Sequence, residues 1–243
     1  MSLCRCRTLG LAALLALAGA GAGAEPLLQP VAAEAGAAPP APWEFVGLPH
    51  QRAPQTRFAV VDAEGRRALR IEADSSYGNL VHPLHLPPEH LVLSWAWRVD
   101  AFAIGTDLTR RDGDDNAVKV CVLFDLPMAR VPFVERQLLR VARVAAGREL
   151  PAASVCYVWD AHLGAGTELP NAFTHRIRTL VLRGGEAGHG WLAERRDVVA
   201  DFLRLFGDET DQVPDVIGIA VGADADNTHG HSIALVADLV LAH

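Results

Sequence analysis

Hydrophobic and small residues alternate most regularly near the C-terminus. Ile217, Ile219 and Val221 alternate with glycine and alanine, which is the period-two pattern of a strand with one buried face. Residues 233–241 follow as an almost continuously apolar segment, typical of a central strand. Between them lies a short loop rich in Asp, Asn, Gly and His. This region therefore predicts two strands whose connection places polar side chains at one end of a sheet.

Shorter segments with the same period occupy the chain from residue 57 onward. In residues 91–99, Trp95 and Trp97 have the same parity, so a strand would point both tryptophans to one side. Residues 82–90 contain three prolines and predict a loop or an edge crossing rather than a central strand. The other predicted strands span residues 57–62, 66–73, 117–124, 155–159, 174–183 and 191–198.

Two segments change to the three-and-four spacing of an amphipathic helix. Residues 131–145 predict a helix that ends before Gly147, and residues 199–206 predict a short one that ends at Gly207. In the first helix we expect the apolar side to pack on the core and the arginine side to face solvent or, alternatively, to bind an anion. Its apolar positions are Val131, Val134, Leu138, Val141, Ala142 and Ala145, and its arginines are Arg136, Arg140 and Arg143.

The order of these elements indicates the fold class. Strands dominate, and they do not alternate with helices as they do in βαβ units. The sequence therefore predicts a mainly β fold, an antiparallel, jelly-roll-like β-sandwich with one or two short helices, rather than a doubly wound parallel sheet.

The N-terminus has the pattern of a secretory signal. Arg5 and Arg7 precede an apolar run, residues 9–20, which is shorter than the roughly 20 residues of a membrane-spanning helix. Small residues follow and predict cleavage after Ala24, so residues 1–24 would be removed. We therefore expect a periplasmic or secreted protein, with an uncleaved membrane anchor as the alternative.

Composition changes after the predicted cleavage point. Residues 25–42 are rich in alanine and proline and predict an extended linker, which leaves residues 43–243 as a single sandwich domain. The formal net charge of the whole chain is −7 at pH 7. An acidic chain disfavours nucleic acid and anionic membrane surfaces as partners. Once the leader is removed, we expect no stable membrane insertion.

Two cysteines, Cys121 and Cys156, remain after the predicted leader, and both lie in apolar strand-like segments. An oxidising compartment permits a disulfide between them. Because the sequence does not give the strand register, two separately buried thiols are the simpler expectation.

Two acidic loops offer oxygen ligands for a hard cation. Asp114 and Asn116 in the first loop, and Asp224 and Asp226 in the second, have the two-residue spacing of a calcium loop, but the glycine and the glutamate of an EF-hand are missing. Asp224 and Asp226 are the metal ligands that this spacing indicates, with calcium as the ion. Ordinary turn chemistry explains the same residues without a metal.

Tryptophans on predicted strands indicate a platform for sugar rings, although a strand tryptophan is more often a core residue. Polar loop residues near the strand ends, together with Arg195 from a segment of mixed charges, would form the rim of a cleft. The predicted glycan site consists of Trp97, Asp114, Asp115, Asn116, Trp159, Arg195, Asp224, Asp226 and Asn227.

Five segments together resemble a bacterial secreted family known as domain of unknown function 3047. They are LSWAWRVD (93–100), GDDNAVKVCVLFD (113–125), YVW (157–159), GWLAERRDVVADFLRLFG (190–207) and GIAVGADADNTHGHS (218–232). The resemblance implies an exported β-rich domain and transfers no catalytic residue. The general pattern is also similar to jelly-roll carbohydrate-binding modules and lectin-like sandwiches, which is a likeness of fold and not of chemistry.

Three functional classes fit these observations. A glycan-binding domain is the interpretation that the predicted export, the strand tryptophans and the polar loops favour. A structural or interaction domain of the cell envelope needs no special residues. A carbohydrate-active hydrolase or lyase needs a convergent pair of acids, and the sequence offers acids without a motif, so binding is favoured over catalysis.

Overall fold

The computed structural model describes residues 26–147, 149–188 and 190–243. These residues include twelve strands and two α-helices. The strands form two facing sheets, which confirms the predicted mainly β sandwich. The predicted signal peptide, residues 1–24, lies outside the described residues. None of the helices in the described part of the chain is long and apolar enough to cross a membrane.

Nine of the twelve strands correspond to predicted segments, whereas β1, β4 and β8 were not predicted. In chain order they are β1 (Glu44–Val46), β2 (Arg57–Ala63), β3 (Arg66–Asp74), β4 (Tyr77–Leu86), β5 (Val92–Ala101), β6 (Lys119–Phe124), β7 (Ala153–Asp160), β8 (Glu168–Pro170), β9 (Ile177–Gly184), β10 (Leu192–Asp197), β11 (Val216–Asp224) and β12 (His231–Ala242). The helices are α1 (Phe133–Ala146), between β6 and β7, and α2 (Val198–Phe206), between β10 and β11.

The larger of the two sheets, called the large sheet below, has seven strands in the order β1-β4-β11-β6-β7-β9-β8. Its neighbouring strands are antiparallel except β7 and β9, which run parallel. The parallel pair arises because β8 runs antiparallel to β9 and reverses the chain between β7 and β9. The small sheet has five antiparallel strands in the order β10-β5-β12-β3-β2. β11 and β12 are therefore interior strands of their sheets, and for β12 this confirms the central position that its apolar pattern predicts.

The main core fills the space between the sheets with alternate residues of both. Trp95 and Trp97 on β5 are 2% and 0% exposed, which confirms that both point to one side. Their rings make an edge-to-face contact with centroids 5.3 Å apart. Tyr157 on β7 lies against Trp95 at the same distance, 5.3 Å. The ring of Phe202 on α2 packs against that of Phe124, with the two ring centroids 4.6 Å apart. Large aromatic side chains thus join the two sheets and α2.

β4 includes part of the proline-containing segment that predicts a loop or an edge crossing. Pro83 lies within β4 and faces Gly218 of β11, so the loop prediction is wrong for residues 82–86, although this part of β4 is paired on one side only. The reason is the shortness of β1, which pairs only with residues 79–81 of β4. After Val81, β4 has no hydrogen-bonded neighbour on the β1 side. A proline is tolerated there because no backbone N–H is needed for pairing on that side.

The predicted linker, whose described part is residues 26–42, contains no regular element but packs against the sandwich. Leu28 and Val31 are 4% and 3% exposed and belong to the main core. The Nε1 group of Trp43 donates a hydrogen bond to the carbonyl of Gln29 (2.9 Å). Burial of two large apolar side chains accounts for the attachment, because each contributes about 1.5–3 kcal/mol when removed from water.

Cys121 and Cys156 form a disulfide, which corrects the expectation of two separate thiols. The two residues are direct partners in the register of β6 and β7, and their Cα atoms are 4.1 Å apart. Direct cross-strand pairing places two cysteines within bonding reach. The sequence does not contain this register, so it could not decide the question.

Helix α1 has the predicted position, and Gly147 caps it in the left-handed conformation (φ 63°). Its orientation is the reverse of the prediction. Val134, Leu138 and Val141 on the apolar side are exposed, while Leu139 on the other side is buried. Polar contacts of the inward side hold the helix in this orientation, and they are described below with the surface that it exposes.

Candidate functional site

The two acidic loops meet at one end of the large sheet. Residues 102–118 connect β5 to β6, and residues 225–230 connect β11 to β12. The backbone N–H of Asn116 donates to Oδ1 of Asp224 (2.8 Å), and the backbone N–H of Asp224 donates to the carbonyl of Asn116 (3.0 Å). We call the converging residues the polar cluster: Asp114, Asp115, Asn116, Lys119, Asp224, Asp226 and Asn227. All but Lys119 belong to the site predicted from the sequence.

The polar cluster lies on the face of the large sheet that points away from the small sheet, called the outer face below. Lys119 has the same parity on β6 as Cys121, and it pairs in register with Gly222 of β11. Cys121 and Cys156 form a small apolar group with Ala220, separate from the main core. The register therefore assigns Lys119 and Asp224 to the outer face, at the end of the strands.

Lys119 and Asp224 form a buried ion pair. The Nζ group of Lys119 lies 2.8 Å from Oδ2 of Asp224, and the two side chains are 12% and 7% exposed. Burial alone would lower the pKa of Lys119, but Asp224 and, to a smaller extent, Tyr77 and Asp114 raise it well above its usual value. Lys119 is therefore a permanent cation inside a group of carboxylates.

Asp115 joins the two loops through hydrogen bonds to both of its oxygens. Oδ1 accepts from the backbone N–H and the Nδ2 group of Asn227 (3.1 and 3.2 Å). Oδ2 accepts from the backbone N–H and the hydroxyl of Thr228 (2.7 and 2.6 Å). Asp115 is only 2% exposed, and four donors fix its carboxylate, so its first role is to hold the loops together.

Asp114 is the carboxyl group whose protonation the site alters most. It is buried and accepts a hydrogen bond from the Nδ2 group of Asn171. Burial, and then the charges of Asp224 and Asp115, raise its pKa to about 6, although Lys119 and Asn171 oppose the shift. A carboxyl group with such a pKa can hold or release a proton near neutral pH.

Asp226 is the carboxylate of the cluster with free bonding capacity. Its Oδ1 atom is buried and has no hydrogen-bond partner, whereas the residue as a whole is partly exposed. Burial, followed by the charges of Asp224 and Asp115, raises its pKa. A ligand that approaches the cluster can contact the exposed part of Asp226, but it reaches the buried Oδ1 atom only if the side chain moves.

The predicted cation ligands, Asp224 and Asp226, do come together, with Asp115 as a third acid. One carboxylate oxygen from each of the three lies within 4.8 Å of the others. Oxygen ligands of this kind suit calcium, but Lys119 already binds Oδ2 of Asp224. A divalent cation would have to compete with an ammonium group that is part of the fold.

Two residues of β4 that the sequence analysis missed complete the surroundings. The ring of Tyr77 lies 5.0 Å from Nζ of Lys119, and its hydroxyl accepts from Nδ2 of Asn79 (3.2 Å). Gly222 makes room for Asn79, because a Cβ atom at position 222 would lie 2.1 Å from Oδ1 of Asn79. The sequence could not identify Asn79 and Tyr77, because the pairing of β4 with β11 is what brings them close to the polar cluster.

The outer face continues from the polar cluster as an apolar surface. The disulfide and Ala220 are buried at its centre, and the exposed part of the surface comes from Val81, Leu123 and Ile177, which pack around them. Further along, Leu108 from the β5–β6 connection covers Val158 and Val181. A ligand on this face would therefore meet an apolar floor and, at its end, a polar group of fixed geometry.

The predicted tryptophan platform lies elsewhere, inside the sandwich. Trp97 is 0% exposed, and its Nε1 group donates to Oε1 of Glu194 (3.1 Å). Trp159 is 7% exposed, and its ring lies 6.2 Å from that of Trp97. Both rings pack in the main core, because the strand face that carries them is the one that faces the other sheet. They have no free face for a sugar in this structure.

Arg195 is exposed on β10, the edge strand of the small sheet, and pairs in register with Ser94. Its parity points it away from the core, while Glu194 and Arg196 on either side point inward. Beside them is a recess of about 250 Å³ lined by Glu194, Arg183, Arg196 and Arg204 among others. The arginines are paired with acids, for example Arg183 with Glu194 at 2.6 Å. Arg195 is not part of the polar cluster.

Comparison with protein families gives one match. The model described as "Protein of unknown function (DUF3047)" matches residues 41–240. This range includes every residue of the polar cluster. No curated protein matches the chain.

Several solved structures have a similar fold at low identity. Endoglucanase Cel12A from Rhodothermus marinus has 9% identity and a TM-score of 0.43, over 82% of this chain and 95% of that chain. The xyloglucanase domain of NopAA from Sinorhizobium fredii, in complex with cellobiose, has 8% identity and a TM-score of 0.41, over 83% and 98%. TmCBM61, in complex with β-1,4-galactotriose, has 11% identity and a TM-score of 0.34, over 84% and 89%. At these values we draw no functional argument from the likeness.

Proposed function

Since the chain belongs to DUF3047, a family of unknown function, the function has to be argued from the site, and we propose that the protein binds a glycan on the outer face of the large sheet. The polar cluster would hold the sugar hydroxyls, and the apolar floor beside it would carry the less polar face of the sugar.

The observation that carries the proposal is the convergence of six predicted polar residues from two loops about 110 positions apart, as in the bond from Asn227 to Asp115. Their geometry is fixed before any ligand arrives, because backbone N–H groups orient the carboxylates of Asp115 and Asp224. Sugar hydroxyls donate and accept at the same time, and a site with fixed carboxylates, amides and an ammonium group offers both partners. Asp226 is partly exposed, so its carboxylate could accept a hydrogen bond from a sugar hydroxyl.

Tyr77 takes the role that the sequence analysis gives to the tryptophans. It is partly exposed and lies beside Lys119 at the boundary of the polar cluster. An aromatic ring next to hydrogen-bonding groups is a common arrangement in small-molecule sites. We therefore place the ligand across Tyr77, Asn116 and Asp226.

The proposal includes export to the periplasm or the medium, where free and bound glycans are accessible. The disulfide between Cys121 and Cys156 supports an oxidising compartment. Intact-mass measurement of the protein from the periplasmic or secreted fraction should give a chain without residues 1–24. Recovery of the complete chain from the membrane fraction would contradict export.

A glycan array followed by calorimetric titration tests the binding proposal. Asp226→Asn should weaken binding of an array hit by roughly 10-fold or more, because a hydrogen bond to a charged group is worth about 1.5–3 kcal/mol. Asp211→Asn is the matched control, since the Asp211 side chain is 92% exposed in another loop. Equal affinity in the wild type and in Asp226→Asn would place the ligand elsewhere. If no glycan on the array binds, the remaining interpretation is a structural or interaction domain of the cell envelope.

Hydrolysis is a second candidate function, and the pKa of Asp114 favours it. A glycosidase uses one protonated and one ionised carboxyl group. Asp114, with a pKa of about 6, could supply the proton, and Asp224, paired with Lys119, could supply the negative charge. Product release from an array hit that Asp114→Asn abolishes, with binding retained, would establish this function. Binding without turnover would leave the glycan-binding function alone.

A further inference from the structure

Helix α1 presents a continuous apolar surface to solvent. Phe133, Val134, Leu138, Val141 and Val144 are 69%, 67%, 57%, 68% and 84% exposed. Side chains of this kind normally face a core in an amphipathic helix. Together they expose on the order of 500 Å² of apolar surface, which is as large as the largest patch of most monomeric proteins and is typical of an interaction site. We call this side of the helix the α1 face.

Polar contacts on the opposite side fix the helix in this orientation. Oε2 of Glu135 lies 3.5 Å from Nε of the buried Arg176 and accepts from the hydroxyl of Thr174 (3.4 Å). The guanidinium of Arg143 donates to the carbonyl of Leu150 (2.7 Å). Turning the apolar side inward would break these contacts. The buried positive charge of Arg176 would then lose the nearby carboxylate of Glu135. The exposure of the α1 face is therefore built into the fold and does not come from a loose element.

The spacing along the α1 face is that of a helix-pairing seam. Val134, Leu138, Val141 and Ala145 follow one another at intervals of four, three and four, as the a and d positions of a heptad do. A helix of 14 residues is about 21 Å long, so these four positions form one straight stripe from end to end. Phe133 and Val144 widen the stripe on one side.

We propose that the α1 face binds the α1 face of a second copy of this chain, with the two helices antiparallel about a twofold axis. The axis would pass between Leu138 and Val141, so that each of these residues meets the other in the partner copy. A twofold contact needs a self-complementary surface, and an apolar stripe with the same kind of residue at both ends meets that condition. Antiparallel packing also places opposite ends of the helix dipoles side by side.

The available area is consistent with a stable homodimer. A standard interface buries about 800 Å² on each partner, and the five large side chains of the α1 face could supply about 60% of it. Gln137 flanks the stripe and would extend the contact, while Arg140 lies at its solvent-exposed rim. The driving force would be mainly the removal of apolar surface from water, at about 25 cal/mol for each Å².

An anionic lipid surface fits the α1 face less well. Membrane-surface helices combine an apolar side with arginines that reach the lipid headgroups, but Arg136 and Arg143 are half-buried against the protein. Arg140 is the arginine of α1 that reaches solvent. The formal net charge of −7 also opposes approach to an anionic surface.

Sedimentation velocity over a concentration series tests the proposal on the purified protein. The wild type should sediment as a dimer that dissociates on dilution. Leu138→Asp and, separately, Val141→Asp should weaken the dimer by roughly 100-fold or more, because each places two unpaired carboxylates in the contact. Leu203→Asp is the matched control, since Leu203 is 39% exposed on α2, and it should leave the dimer unchanged. Circular dichroism should show that all variants are folded.

Arg140→Gln separates a protein partner from a lipid partner. It removes a rim charge, so it should leave the dimer as strong as in the wild type or make it stronger, whereas it would weaken binding to vesicles that contain anionic lipid. A wild type that stays monomeric at all concentrations would overturn the proposal. So would a dimer that persists unchanged in both aspartate variants. Binding of the monomer to anionic vesicles, lost in Arg140→Gln, would replace the second copy by a membrane.

Discussion

Replacing Lys119 with methionine tests the electrostatic organisation of the polar cluster. Methionine keeps most of the volume and removes the ammonium group from its position 2.8 Å from Asp224. Asp224, 7% exposed on its side chain, would then be a buried carboxylate among other acids. It would keep only the hydrogen bonds from the backbone and the side chain of Asn116.

The expected loss of stability follows from this burial. Removing one partner of a buried ion pair typically costs about 3–5 kcal/mol, because the remaining charge is left without compensation. Since Asn116 still donates to Asp224, we expect the lower end, about 3 kcal/mol, for Lys119→Met at neutral pH. The double variant Lys119→Met/Asp224→Asn removes both charges and should recover much of the loss.

Urea unfolding followed by tryptophan fluorescence measures the effect, since the chain has five tryptophans. The matched control is Arg204→Met, which removes the cation of the exposed pair between Arg204 and Glu168 (44% and 39% exposed). Exposed pairs contribute about 0–1 kcal/mol. If Lys119→Met costs no more than this control, or if the double variant is less stable than either single variant, Lys119 and Asp224 do not form a buried, coupled pair.

Four further predictions follow from the same region. Calcium should raise the melting temperature of Lys119→Met and leave that of the wild type unchanged, because the variant frees the acidic oxygens for a cation; an equal shift in both proteins would contradict competition by the lysine. Asp114 has a folded pKa of about 6 against a usual 3.8, so the native state holds its proton longer, and the free energy of unfolding should fall by about 3 kcal/mol from about pH 3 to about pH 7 relative to Asp114→Asn; parallel pH profiles would contradict this. Reduction of the disulfide, which spans 35 residues, should lower the free energy of unfolding by about 3–4 kcal/mol; a stability unchanged by reductant would contradict the cross-link. Gly222→Ala should displace Asn79 and destabilise the protein by about 1–3 kcal/mol in the same urea assay, and a neutral effect would show that the close approach is absent.

The sequence predicted the strands because alternation is a local property. The pattern around Ile219 and Val221 requires only that one face be buried, and both residues are fully buried. The order of strands is not local. β4, β11 and β6 lie side by side although they are far apart in the chain, and this neighbourhood is what brings Tyr77 and Lys119 together.

Two predictions failed because the sequence does not say what covers a given face. Trp97 and Trp159 each lie on one face of their strands, β5 and β7, but only the packing of the two sheets against each other decides that these faces form the core. In α1, periodicity identified the apolar side of the helix correctly. The expectation that this side faces the core was wrong, because it faces solvent. Contacts such as that between Glu135 and Arg176, which involve residues from a distant strand region, fix the helix with its apolar side outward.

Part of the polar cluster could be predicted, since acidic and amide residues concentrate in the two loops and loops at one end of a sandwich tend to meet. Lys119 could not be recognised in this way. It lies on the polar side of an amphipathic strand, where a lysine usually faces solvent, and its neighbours Asp224 and Tyr77 come from strands that are distant in the chain.

Hydrogen–deuterium exchange with an array-selected glycan tests the central claim most directly, because it locates the ligand on the chain. If the polar cluster is the binding site, the glycan should slow exchange in peptides that cover residues 112–119 and 222–229, and the protection should be lost in Asp226→Asn. Peptides that cover β10 should be unaffected. Protection confined to β10 and the arginine-lined recess beside it, with residues 112–119 and 222–229 unchanged, would contradict the account.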